Sequence, residues 1–338
     1  MAGSFAERLL TVASAAALLV SVGCAREQRP RPVYNWGQPA YQQPGAPAPG
    51  ATAPGAAPGA PGPPGMPGAP LASGDAINAH DIGFLRRRAE QILAELVSVL
   101  APAHMARVNG IPLVVDATAG EVNAFASCSG SRSAMAVTDG LLQIQSQLAR
   151  FRAYDELSGT NKVGEYVGII ARGARAKQPL PEPPIGFVDP RVDLDPRKIV
   201  RQHQLLDEQL AFVLGHELAH HYLGHLPCTA GGGLTLAELN AILSSAVPGF
   251  NQPNELSADV AGLNNTLNLG ARRSDYRLTE GGALLTMQFF AGLDQLTPVD
   301  ILFGFERSHP PPQLRTPIIL QTAAAWRTTG GRGLPILF

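Results

Sequence analysis

Phe84, Leu85, Ala89, Ile92, Leu93, Leu96 and Leu100 recur at helical spacing, with Arg86, Arg87, Arg88, Glu90 and Glu95 between them and Pro102 just beyond. This pattern predicts an amphipathic helix whose apolar stripe faces a core. Short apolar or alternating runs follow at Ile111 to Val115, Glu121 to Ser127 and Ala134 to Thr138, split by Gly and Ser, which suits a small sheet or hairpin. Asp139 and Gly140 then lead into a helix from Leu141 to about Arg150. Between Asn161 and Pro196 the pattern predicts a helix and then a long loop, because periodicity fades after about Ala176 among Gly, Pro and Arg. The plainest helix runs from Gln204 to Leu226. Leu206, Leu210, Val213, Leu214 and Leu218 form its stripe, Asp207 and Glu208 occupy its first turns, and Pro227 ends it. Further helices over Leu236 to Ala246, Asn254 to about Leu269, Glu280 to Leu293 and Leu314 to Trp326 make the folded part α+β and mostly helical.

The N-terminal stretch has no such periodicity. Arg8 precedes an apolar run from Leu9 to Val22, which stops at Gly23, Cys24 and charged Arg26 and Glu27. Residues 1–23 therefore read as an export signal, shorter than the roughly 20 apolar residues of a spanning helix. The small residues before Cys24 resemble a bacterial lipobox, with Ser21 where Leu is usual, so Cys24 is the expected acyl-bearing residue. That places the protein on the periplasmic side of a membrane, with the outer membrane the expected one. Residues 24–74 are dominated by Pro, Gly and Ala and hold too little apolar bulk for a core, which predicts a disordered tether. Gly does not recur at every third position there, which excludes a collagen-like helix.

Residues 75–338 are long enough for one sizeable domain or two small ones, and are read as one domain. A formal net charge of -1 with no basic block excludes nucleic acid as an expected partner. Cys128 and Cys228 could pair in an exported protein, and the sequence leaves that open.

Candidate chemistry lies in the plainest helix. His216 and His220 stand at i and i+4, so both imidazoles project from one face and can share a metal ion. Glu217 follows the first of them, which turns its carboxylate beside the metal, where a general base is needed. Such a five-residue pattern arises by accident in roughly one of a hundred sequences of this length. Here it falls inside a strongly apolar helix, where unpartnered His and Glu would be costly to bury. A zinc ion with an open position needs a third protein ligand. A third His six residues after His220 fails, because Leu226 and Leu223 hold the positions where that arrangement has His and Gly. A Glu on a second helix fits: Glu255 and Asp259 share a face, one to reach the metal and one to reach a ligand's far ring nitrogen. His221 and His225 are also four apart but lack a following Glu, which makes them packing or ligand-supporting residues.

With these motifs in place the chain resembles the zinc metallopeptidases of the CAAX prenyl protease and HtpX type, in their exported lipoprotein branch. Four stretches carry the likeness: Val122 to Ala126 with Val137, Thr138, Gly140 and Leu141; His216 to His225; Glu255 to Gly262; and Ser308, His309 and Pro310 with Arg315. Ser127, Cys128, Ser129 and Gly130 depart from the usual Leu, Pro and Gly, and Gly224 stands where Arg is frequent. The resemblance implies a zincin-like metallopeptidase domain, one Zn2+ on His216, His220 and Glu255, and a small sheet beside the active-site helix. Its edge, Asn123, Ala124, Phe125 and Ala126 running on to Ser127, would bind substrate as an added strand. It also implies that His309 stabilises the oxyanion and that Arg315 holds His309 or assists.

The expected function is hydrolysis of peptide bonds in envelope proteins, with misfolded protein or peptide substrates and a lipid anchor as the membrane partner. The rival is a zinc-containing chaperone or binding lipoprotein without hydrolysis. The stretch from Leu226 to Asn254 is a candidate gate over the site.

Overall fold

A computed structural model describes residues 74–129, 132–175, 177–226, 228, 252–296 and 309–335. The export signal, Cys24, nearly all of the tether, the helix expected at Leu236 to Ala246, most of the candidate gate, and Ser308 lie outside the described residues.

Asp81 caps α1 (Ile82–Ser98), its Oδ1 accepting from the Phe84 N–H at 3.0 Å. The stripe predicted for this helix is the buried one, with Leu85, Ala89, Ile92, Leu93 and Leu96 inward. After α2 (Pro102–Val108), three strands form one sheet: β1 (Leu113–Asp116), β2 (Ala124–Ser129) and β3 (Arg132–Thr138). Their order is β1-β3-β2, with β1 parallel and β2 antiparallel to β3, so among the described residues β2 is an edge strand. Thr138 ends β3 and also caps α3 (Asp139–Ser158), its Oγ1 accepting from the N–H groups of Leu141 and Asn123. This helix runs beyond the expected Arg150, because Phe151, Ala153 and Tyr154 continue its buried face until Gly159 adopts a left-handed φ of 69°.

A helix α4 (Lys162–Gly173), a loop and a single turn α5 (Pro190–Asp193) lead to α6 (Pro196–Tyr222), on which the domain is built. It packs against α1, α3, α7 (Gln252–Arg272) and α8 (Gly281–Leu296), while α9 (Pro312–Thr328) packs on α7 and α8. Every residue from 204 to 222 is buried, so this helix has no solvent face over its second half.

The start of α6 differs from the expectation. Asp195 caps it and Pro196 opens it, eight residues before Gln204. Lys198, Gln202 and Gln204 mask the apolar stripe in the sequence because they are buried with polar partners. Lys198 Nζ donates to Asp193 and Asn78, and Gln204 donates to the Arg277 carbonyl. Asp207 and Glu208 therefore lie mid-helix and not in a first turn. Asp207 is neutralised there by Arg88, Arg273 and the Tyr276 hydroxyl.

Two glycines set how closely α6 and α7 cross. A Cβ on Gly262 would stand 2.6 Å from the His216 backbone nitrogen, and one on Gly215 would stand 3.1 Å from the Gly262 carbonyl oxygen. Backbone-to-backbone approach of this kind is open only to residues without side chains. It brings the α7 carboxylates within reach of the α6 imidazoles.

Candidate metal centre

His216 and His220 lie one turn apart on α6, and Glu255 lies in the first turn of α7, where the helix end favours a carboxylate. The two Nε2 atoms are 3.1 Å apart, and Glu255 offers Oε2 at 3.3 Å from the first and Oε1 at 3.4 Å from the second. Ligand atoms placed tetrahedrally at about 2.0–2.1 Å from one ion are about 3.3–3.4 Å apart, so the spacing suits zinc. All three residues are buried, and among the described residues Glu255 Oε2 has no hydrogen-bond partner.

The far ring nitrogens sharpen this fit. His216 Nδ1 lies 2.9 Å from Asp259 Oδ1 and donates to it, which turns its Nε2 to the cluster. His220 Nδ1 is likewise engaged, by His225 Nδ1 at 3.1 Å, which leaves its Nε2 facing the same point. The two Nε2 atoms face each other across 3.1 Å beside Glu255, an arrangement that a cation between them would satisfy.

Burial opposes charge on His216, but Asp259 and Glu255 outweigh it and raise its pKa to about 9. Burial and the neighbouring His216 push His220 down to about 3. Burial would raise Glu255, yet the neighbouring His216 above all, with His309 and His220, brings it to about 2. Asp259 is held well below the carboxylate range, its burial overcome by Arg315 and His216. Arg315 is 1% exposed and grips Asp259 with two bonds, Nε to Oδ2 at 2.9 Å and Nη2 to Oδ1 at 2.6 Å. Through Asp259 it supports His216, whose Nδ1 lies 3.4 Å from Nη2.

Glu217 stands beside this cluster. Its Oε2 accepts the Ala126 N–H at 2.8 Å, and its Oε1 lies 3.2 Å from His309 Nε2. The Ala126 N–H thus points away from β3, out of the edge predicted to take substrate. Burial would raise the Glu217 pKa, but the His309 hydrogen bond and the nearby His216, His309 and His220 lower it overall. His309 rides on a stiff arm, since Pro310, Pro311 and Pro312 follow it and Pro312 opens α9. Its Nε2 is 3.8 Å from Glu255 Oε2. His216, Glu217 and His309 form a second possible metal-holding triple. The first is the better donor set, because both Glu217 oxygens already have hydrogen-bonding neighbours and Glu255 Oε2 has none.

The model of peptidase family M48 matches residues 86–322, from within α1 to within α9. The chain belongs to peptidase family M48. M48 members are zinc-dependent proteases, in keeping with the donor set, and the mostly helical domain with its small sheet is the fold expected of a zincin-like peptidase. No curated protein and no solved structure matches the chain.

In this M48 peptidase the predicted residues His216, Glu217, His220, Glu255, Asp259, His309, Arg315 and Ala126 come together in one place. Ala124 and Phe125 lie on the same strand, and Asn123 just precedes it, its N–H bonded to Thr138. Cys128 and Cys228, left open by the sequence, are joined as a disulfide with Cα atoms 5.9 Å apart. His225 touches a metal-ligand candidate directly, a contact that spacing alone could not assign.

Proposed function

We propose that this M48 peptidase is a zinc-dependent endopeptidase in which His216, His220 and Glu255 hold one ion and Glu217 is the general base. The observation that carries the reading is the convergence of two Nε2 atoms and one carboxylate within 3.1–3.4 Å, beside a second carboxylate held apart by the edge strand. The ion, when bound, would bring a water in its open position to a pKa of about 7 and polarise the scissile carbonyl. Glu217 is placed to take the attacking water's proton and return it to the departing amine. His309 Nε2, 3.2 Å from that carboxylate, would donate to the developing oxyanion. Arg315 acts one step back, fixing Asp259 and so His216. Substrate would lie extended along β2, at Asn123 to Ala126, pairing with its outer edge.

The substrate class follows from the chain's start. An export signal at 1–23, an acylated Cys24 and a tether to 74 would hold the peptidase domain at 75–338 over the periplasmic face of a membrane. Misfolded envelope proteins supply extended backbone there. Mass spectrometry of the mature N-terminus checks the anchor: a terminus without acyl chains on Cys24 overturns it.

Cleavage of unfolded casein and bound zinc are the decisive measurements. Glu217→Gln is expected to keep zinc and lose about 10²- to 10⁴-fold in cleavage rate, whereas Glu255→Ala loses both. Undiminished cleavage by Glu217→Gln removes the base assignment. A zinc-loaded wild type that binds casein without cutting it establishes the chaperone rival instead.

A further inference from the structure

The two imidazole ligands are supported by different chemistry. His216 has the Asp259–Arg315 ion pair behind it, whereas the far nitrogen of His220 meets the His225 ring and, among the described residues, no carboxylate. α6 ends at Tyr222, and Gly224 turns the chain with a left-handed φ of 80°, which a side chain would resist. The His225 N–H then donates to the His220 carbonyl at 3.0 Å, and the His225 ring folds back over the ligand with ring centroids 5.0 Å apart. His225 Nδ1 lies 3.1 Å from His220 Nδ1. On its other side His225 Nε2 lies 3.1 Å from Ser257 Oγ, and Ser257 Oγ donates to the Asn254 carbonyl at 2.9 Å. Ser257 is buried on α7, two residues after Glu255.

With a metal ion on His220 Nε2 the protons in this series fall into one order. His220 Nδ1 then carries the ring's proton and donates to His225 Nδ1. His225 Nε2 therefore carries a proton and donates to Ser257 Oγ, whose single hydrogen goes to the Asn254 carbonyl. Every donor has an acceptor, and the series ends on the helix that supplies the third ligand.

We infer that His225 and Ser257 are positioning residues for the metal: a neutral relay that fixes the tautomer and tilt of His220 and ties the end of α6 to the Glu255 turn of α7. This rests on the reading of His216, His220 and Glu255 as a zinc site. It deepens that reading by making the two halves of the site unequal. An anionic partner strengthens His216 as a donor, and a neutral partner leaves His220 the weaker one. The ion keeps more of its charge than two carboxylate-backed imidazoles would allow.

Zinc dissociation constants by competition with a chromophoric chelator test this on the full chain, with circular dichroism of the metal-free proteins recording the fold. His225→Ala is expected to weaken zinc binding about 10- to 100-fold. His225→Asn should restore most of it, because its Oδ1 can stand where Nδ1 stood and accept from His220. Ser257→Ala removes one hydroxyl and should weaken binding less than His225→Ala, and the visible spectrum of the cobalt-substituted protein should shift in both. Zinc bound by His225→Ala as tightly as by wild type overturns the relay, and so does an Asn variant as weak as the Ala variant. If His225→Ala does not fold, Ser257→Ala decides alone, and wild-type affinity there overturns the proposal. Failure of the wild type itself to bind zinc, or tight binding by Glu255→Ala, removes the zinc site as such and is told apart by those two controls.

Discussion

Glu208 sits in the middle of α6 with no role in the metal cluster. Its Oε1 accepts from the N–H and hydroxyl of Thr279 at 3.0 and 2.9 Å, while its Oε2 is buried without a partner. Burial raises its pKa to about 7. The folded form thus binds a proton more tightly than the unfolded chain, where the group titrates near 4.5. Its neutral form is favoured below that value, and stability is lost as pH rises from about 4.5 through about 7. Glu208→Gln removes this loss. Thermal unfolding should show the variant gaining on wild type between pH 4.5 and 7.5, by on the order of 3 kcal/mol. A constant difference across that range contradicts the assignment. Arg315 is the opposite case, a buried charge whose partner Asp259 is also buried, so both stay ionised.

At the scale of elements, the crossing of α6 and α7 determines whether the three proposed ligands meet. Gly262→Ala would put a Cβ 2.6 Å from the His216 nitrogen and 2.9 Å from its Cα, both backbone atoms of a buried helix that cannot swing aside. The helices must separate. Overpacking of this kind costs about 1–3 kcal/mol, and Glu255 moves away from the imidazoles by the same displacement. The variant should unfold at lower temperature and bind zinc more weakly, both read from melts with and without metal. Unchanged zinc affinity would show that the crossing does not set the site. The outer edge of β2 depends on a like constraint, because Ala126 meets Glu217 only if the strand lies against α6.

For the whole molecule, the Cys128–Cys228 disulfide spans 100 residues and ties the end of β2 to the chain just past α6. Closing a loop of that length is worth about 4–5 kcal/mol by the chain-entropy argument. Reduction of wild type and Cys128→Ser should therefore lower the unfolding free energy by the same several kcal/mol, and a reduced protein as stable as the oxidised one refutes the link. Cleavage indifferent to reduction would further show that the bond is a brace and not a redox gate. Much of the molecule was legible beforehand. The stripe of α1, the strand segments, the helices α7, α8 and α9, the His216–His220 pair and the Glu255–Asp259 spacing all follow from local periodicity, which side-chain direction along one helix or strand enforces. The start of α6 was hidden because Lys198, Gln202 and Gln204 are buried among partners distant in sequence. His225 was legible only as a packing or ligand-supporting residue, since its approach to His220 depends on the left-handed turn at Gly224. The sequence by itself determined which donors exist and which of them share a helix face. Tertiary structure alone decided that Glu255 and Asp259, on another helix, reach the imidazoles of α6, and which ring nitrogen each group meets. Coordination turns on tenths of an ångström between separate backbones, and here the glycine contact of α6 with α7 sets that distance.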